Sequence, residues 1–209
     1  MHSLVAATSD IVRVWDLAIA SNNQQSSSNY ATLRRGATST GYSVSHNKSY
    51  TAGSMRDSVN EIKVVSWSTD GSTFVVGGKG PYMRQFSASG EPIMDIPGNE
   101  DDISDIVAIQ HYGSNSESMF IADNTSRQVR RWDFASTSFA QTCQTHDNDI
   151  ACMSVSAKRR LVASATRKGG EIALYNLVYN TRTELRSATH RAMLSMDFSA
   201  SARTPADGG

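Results

Sequence analysis

The sequence predicts an all-β protein assembled from repeated antiparallel sheets. Three observations carry that prediction. A short apolar strand closing on an aromatic residue and a polar partner recurs four times: VRVWDL at 12–17, MRQFSA at 83–88, VRRWDF at 129–134 and IALYNL at 172–177. The closing aromatics, Trp15, Phe86, Trp132 and Tyr175, lie 71, 46 and 43 residues apart, so the last two gaps define a period and the first is one period plus an insertion. Short runs of alternating polarity are separated by turn residues, and no long stretch carries the 3.6-residue apolar period of a helix.

The elements follow in order. The first repeat opens with strands over 4–8 and 11–15, with no inner strand before them. Residues 21–60 are expected to form a polar insertion. Its start, SNNQQSSSN at 21–29, has too little apolar surface to offset the entropy of ordering. The second repeat reads as strands over 62–67, 73–77 and 82–86, with an Asp-Gly turn in STDGS at 68–72 and an outer strand over 92–96. The third has an inner strand over 104–109, the closing strand at 129–134 and an outer strand over 138–143. The fourth has strands over 150–155, 161–165, 171–176 and 183–186, with turns at 157–160 and 167–170. AMLSMDF at 192–198 reads as a lone inner strand, and 199–209 as a small, polar, disordered tail.

The strand that closes on Trp-Asp, in LVAATSDIVRVWDL, VRRWDF and the worn copy LVASATRKGGEIALYNL, resembles the WD40 repeat, the blade of a β-propeller. The resemblance implies a WD40-like β-propeller over 1–198. Seven blades need about 280–315 residues at this period, so about four blades in an incomplete arc are expected. It also implies that Trp15, Phe86, Trp132 and Tyr175 wedge between neighbouring sheets. Asp16, Asp133 and Asn176 would accept hydrogen bonds in the turn that follows. Many WD40 blades link a His, a Ser or Thr, a turn Asp and the Trp in a buried polar chain. Here the fourth repeat has His146 and Thr166 but no Asp over 167–170, and the third has Asp123 and Trp132 without a suitably placed His. Apolar packing is therefore expected to outweigh polar networks.

Function follows from what the blades carry. The chain has no Gly-x-Ser-x-Gly, and Gly77-Gly78-Lys79-Gly80 lacks the spacing of a phosphate loop. His146 and His190, one repeat apart, read as structural caps, and no histidine or cysteine pair has metal-ligand spacing. The acids of 100–105 lack the alternation of a calcium loop. The expected inner strands hold Asp105 and Asp197 as their only acids and no histidine, too few for a hydrolase. No catalytic residue, cofactor or metal is expected. Cys143 and Cys152 are too few for a disulfide framework, which points to a reducing, cytoplasmic setting. Zero net charge argues against a nucleic-acid binder, and no apolar run approaches the roughly 20 residues of a membrane span.

The expected activity is therefore non-catalytic binding of other proteins. Arg167 and Lys168, on the loop joining second to third strands, are the candidate partner-facing residues, while the basic run at 158–160 falls on the opposite face. LVAATSDIVRVWDLA and LVASATRKGGEIALYNLVYNTRTELR further resemble the WD-repeat proteins that target γ-tubulin ring complexes to centrosomes and spindles. That resemblance implies microtubule nucleation and spindle organisation, centrosomal or γ-tubulin-complex partners, and a centrosome or spindle location. The alternative is a generic WD40 adaptor, such as a ubiquitin-ligase substrate receptor or a coat subunit.

Overall fold

The computed structural model describes residues 2–7, 11–20, 41–51, 61–98, 104–186 and 193–199. Up to residue 51 the description covers the backbone and the Val12 side chain. Among these residues every regular element is a β-strand. They fall in two compact units, Met1–Ile106 and Val107–Gly209.

In the first unit, β1 (His2–Ala7), β2 (Ile11–Ala20) and β3 (Gly41–Thr51) form one antiparallel sheet in that order. Trp15 and Asp16 lie on β2, opposite Leu4 and Ser3 of β1. The strand β3 corrects the loop expected across 21–60. Its sequence, GYSVSHNKSYT, has no apolar alternation, yet it pairs with β2 from Ile11↔Thr51 to Ala20↔Gly41. The reason lies in the partner. β2 runs well past its closing Trp-Asp pair, and its outer row of backbone N–H and C=O groups needs a strand beside it. A polar strand can fill an outer position, where side-chain burial matters less than the ladder. The rest of the expected insertion, 21–40 and 52–60, lies outside the described residues.

The second sheet of this unit is a meander of β4 (Glu61–Trp67), β5 (Thr73–Gly80), β6 (Tyr82–Ser87) and β7 (Pro92–Pro97). Its core is Val12, Ile62, Phe74, Val76 and Phe86. Phe86 stacks on Phe74 at 5.2 Å between ring centres, and Trp67 meets Phe74 edge-on at 5.1 Å. Each such ring, fully buried, contributes about 1.5–3 kcal/mol. β4 bulges between Ile62 and Val64, which brings the Glu61 carbonyl onto Gly78. No side chain fits there, so glycine is required at 78 for room. β8 (Ser104–Tyr112) starts here, with Ser104 and Asp105 paired to Gly80 and Lys79, and Asp105 is held by Lys63 at 2.6 Å.

The second unit holds two meanders. The first continues β8 through β9 (Ser118–Asp123), β10 (Gln128–Asp133) and β11 (Ser138–Thr145). The other is β12 (Ile150–Ser156), β13 (Leu161–Thr166), β14 (Glu171–Asn176) and β15 (Thr181–Arg186). Phe120, Ala122, Val129 and Cys143 from the first close onto Ile150, Met153, Val162 and Tyr175 from the second. The other face of β9 and β10 carries Met119, Ile121 and Trp132, all buried, with the Trp132 ring edge-on to Phe139.

The repeat read from the sequence recurs as register. Phe86, Trp132 and Tyr175 sit opposite Phe74, Met119 and Val162, each on the second strand of its sheet. Two residues on, the same backbone bond forms three times: Ala88 N–H to Ser72 O, Phe134 N–H to Glu117 O and Leu177 N–H to Arg160 O.

Segment 193–199 corrects another expectation. It is not a regular strand. Asp197 accepts a bond from its neighbour's amide, Phe198 N–H, at 2.8 Å and from Ser154 Oγ at 3.1 Å. A side chain that bonds its own backbone competes with a ladder. Residues 200–209 lie outside the described residues.

Five hairpin turns hold a left-handed non-glycine residue: Ser116, Arg127, Thr137, Arg160 and Asn180, with φ between 49° and 53°. That conformation costs roughly 1–2 kcal/mol for an ordinary L-residue and less for asparagine. Thr137 is β-branched and exposed, so it bears this strain without compensating burial. Thr137→Asn should therefore raise stability by about 1 kcal/mol, read as a higher urea midpoint at unchanged slope.

Candidate functional site

Three loops of the second unit are tied into one face: 124–127 after β9, 146–149 after β11 and 167–170 after β13. Their ties are short. The His146 amide donates to Arg127 O at 2.9 Å, and the Arg167 amide to Asp149 O at 2.7 Å. Asn124 Oδ1 accepts from the Ile150 amide at 2.7 Å, and Arg127 Nη1 donates to Asp147 O at 3.0 Å. Within the first loop, the buried Asp123 carboxylate accepts from the amides of Thr125 and Ser126 and from Ser126 Oγ. In the third, Thr166 Oγ1 donates to Lys168 O at 2.7 Å, and Gly169 and Gly170 both take positive φ, which closes the turn.

The side chains left in water are mixed in charge. Arg127, Asp147, Asp149, Arg167 and Lys168 are all exposed. Arg127 Nε lies 3.7 Å from Asp149. Arg167 and Lys168 make no ion pair with another described residue. The two residues lie on the turn after β13, as expected from the sequence, on a hydrogen-bonded and partly neutralised face.

Beneath that face is a buried polar chain. His146 is fully enclosed. Its Nδ1 lies 2.8 Å from Glu171 Oε1 and its Nε2 2.6 Å from Ser164 Oγ. Arg182 Nη2 reaches the same Glu171 oxygen at 2.7 Å. A neutral ring fits this arrangement: Nδ1–H donates to Glu171, and Nε2 accepts from the Ser164 hydroxyl. Burial holds the imidazole below its ordinary value of 6.5. The Glu171 charge pulls the other way, but Arg182 already compensates that charge.

This chain corrects the expectation that polar linkage is broken in the fourth repeat. The acid is Glu171, one residue beyond the turn where an Asp was expected, and its extra methylene spans the distance. The hydroxyl is Ser164, two positions before Thr166. Sequence reasoning missed Ser164, Glu171 and Arg182. The available signal was an acid directly after the double glycine, at the start of an otherwise apolar strand.

Ser164, His146 and Glu171 have the connectivity of a hydrolytic triad. Access decides against that use. Ser164 is 0% exposed and sits on a middle strand, with the Val162 and Ala165 side chains of the same strand also enclosed. The thiols are equally quiet. Burial pushes Cys143 up to about 12, against a smaller opposing pull from Arg131, and raises Cys152 as well. Among the described residues no group of three His, Cys, Asp or Glu side chains could hold a metal. His190 lies outside them.

The closing pairs have consistent local geometry where side chains are described. Phe86, Trp132 and Tyr175 are at most 7% exposed. Asp133 Oδ1 accepts from the Ser136 amide and hydroxyl, which holds its carboxyl below the usual value. Asn176 Oδ1 accepts from the amides of Val178 and Tyr179. The Tyr175 hydroxyl accepts from Gln141 Nε2 at 2.7 Å, whereas the buried Trp132 Nε1 has no acceptor among the described residues.

No family model matches the chain, and no curated protein matches it. The crystal structure of RRP9 WD40 repeats is similar over 65% of this chain, with a TM-score of 0.55 and 16% identity. The match spans 41% of that structure. At this identity the likeness shows the fold: an all-β, WD40-type β-propeller, incomplete in the residues described. Among those residues no helix is long and apolar enough to cross a membrane.

Two outcomes follow. Glu171→Ala leaves an enclosed imidazole N–H without its acceptor and costs Arg182 its shorter ion pair, with Glu184 remaining at 4.0 Å, so chemical denaturation should show a loss of about 2 kcal/mol. Cys143 should resist an aromatic disulfide reagent in the native protein and react at once in denaturant, as followed by released thiolate absorbance.

Proposed function

We propose that this WD40-type chain is a non-catalytic protein-interaction scaffold that engages partners through the three-loop face. The observation that carries the reading is the pair Arg167 and Lys168. They are exposed cations without an ion pair among the described residues, on a loop whose backbone is fixed by Asp149 and Thr166. A rigid loop loses little entropy on binding. Cations left unpaired favour a partner segment rich in Asp or Glu. Enclosure of Ser164 and the raised values of Cys143 and Cys152 make these three groups poor nucleophiles.

Within that class we favour recruitment of γ-tubulin complexes for microtubule nucleation at centrosomes and spindles, with the protein resident in the cytoplasm. The support is the likeness of LVAATSDIVRVWDLA and of LVASATRKGGEIALYNLVYNTRTELR to the WD-repeat proteins with that role. The generic adaptor roles share the fold and make no demand for γ-tubulin.

Affinity capture with the tagged chain separates these readings. Recovery of γ-tubulin-complex components, with staining at centrosomes, is the expected result. Their absence alongside other specific partners would leave the adaptor reading standing. Arg167→Glu with Lys168→Glu should weaken capture about tenfold or more, and capture at the wild-type level would exclude this face as the docking surface.

A further inference from the structure

We propose that His146 is an acid-sensitive latch for the three-loop face: the neutral ring holds the loops together, and protonation lets them part. Its biological use rests on the reading of that face as a docking surface, while the latch itself is a property of this chain alone.

His146 stands where the loops meet. Its amide is bonded to Arg127 O in the first loop, and its own residue opens the second. Its ring is bonded to Glu171, which follows the third loop, and to Ser164 on the strand leading into that loop. One residue thus joins all three segments, the first through its backbone and the third through its ring.

Enclosure and the nearby Arg182 charge favour the neutral ring. In the neutral ring each nitrogen has a matched partner. A second ring proton turns Nε2 into a donor aimed at Ser164 Oγ, 2.6 Å away. That proton displaces the Ser164 hydroxyl hydrogen from the bond inside a fully enclosed site. The new charge also sits on the Glu171 oxygen that Arg182 already holds at 2.7 Å, so two cations share one carboxylate oxygen. The charged groups facing the ring are Glu171 from β14, Arg182 and Glu184 from β15 and Asp147 from its own loop. Asp147 is exposed, and water screens its attraction.

The direction in pH follows. Because burial lowers the ring's proton affinity in the closed form, the open form takes the proton first as pH falls below 6.5. Opening becomes more favourable by about tenfold per pH unit from there down to the closed-form value. Above 6.5 the latch is insensitive to pH.

Amide hydrogen exchange on the whole chain tests this, with protection factors corrected for intrinsic rates at about pH 7.5 and about pH 5.5. Protection of the His146 and Arg167 amides should fall about tenfold at the lower pH, while that of Val162 and Ala173 in the ladders of β13 and β14 stays constant. His146→Gln should abolish the difference. An NMR titration of the His146 ring in the wild-type protein supplies a readout that needs no variant, and the midpoint should lie below 6.5. Loop and ladder amides losing protection together, or a ring titrating at or above 6.5, would overturn the latch. Exchange and titration need no partner, so failure of the docking reading shows only in the capture experiment.

Discussion

One aromatic ring per sheet has to be buried at one register. Phe86, Trp132 and Tyr175 each occupy the end of a third strand, opposite a buried residue of the second. That requirement sets the hairpin lengths on either side. It explains why one cross-turn backbone bond recurs at Ala88, Phe134 and Leu177, and why the residue after the ring caps the turn beyond it. Asp133 and Asn176 supply that cap through side-chain oxygens, and Ser87 does so by accepting the Glu91 amide. The ring's identity matters less than its place: a phenylalanine, a tryptophan and a tyrosine serve alike, because the gain comes from apolar area rather than from a specific polar contact. The unsatisfied Trp132 Nε1 makes the same point.

Most of the fold was legible because its signals are local. Alternation marks β4 and β12, the Asp-Gly in STDGS marks a hairpin, and the aromatic-polar pair marks each third strand. Boundaries extended by one residue for β6, which runs to Ser87 rather than Phe86, and by several for β2, β5 and β8, which end at Ala20, Gly80 and Tyr112. β9 went unassigned although SMFIAD is a short apolar run, and the rest of what escaped was decided by distant partners. β3 is a strand because β2 needs one, and nothing in GYSVSHNKSYT announces that. The segment 193–199 has the apolar alternation of a strand but answers to Asp197, which bonds its own backbone and Ser154.

The candidate site divides along the same line. Arg167 and Lys168 could be placed on a loop from sequence, since a turn between two strands is a local feature. The support beneath them could not. His146 and Glu171 are 25 residues apart and His146 and Ser164 are 18 apart, and each pair meets only once two sheet registers are set. The same three residues also show how burial assigns chemistry. An identical set of hydrogen bonds at a cleft floor would activate a nucleophile; enclosed on a middle strand, it fastens loops to a sheet.

Glu171 Oε1 is a single atom with two masters. From one side it receives the imidazole under the loops, and from the other the guanidinium of Arg182 on the blade's outermost strand. The rim of the sheet and its loop end are therefore in crosstalk through one oxygen. A protein that laid itself along β15 and drew Arg182 away would leave that carboxylate to the imidazole, whose hold on a proton would then tighten. Contact at the rim would reset the acidity at which the distant loops let go.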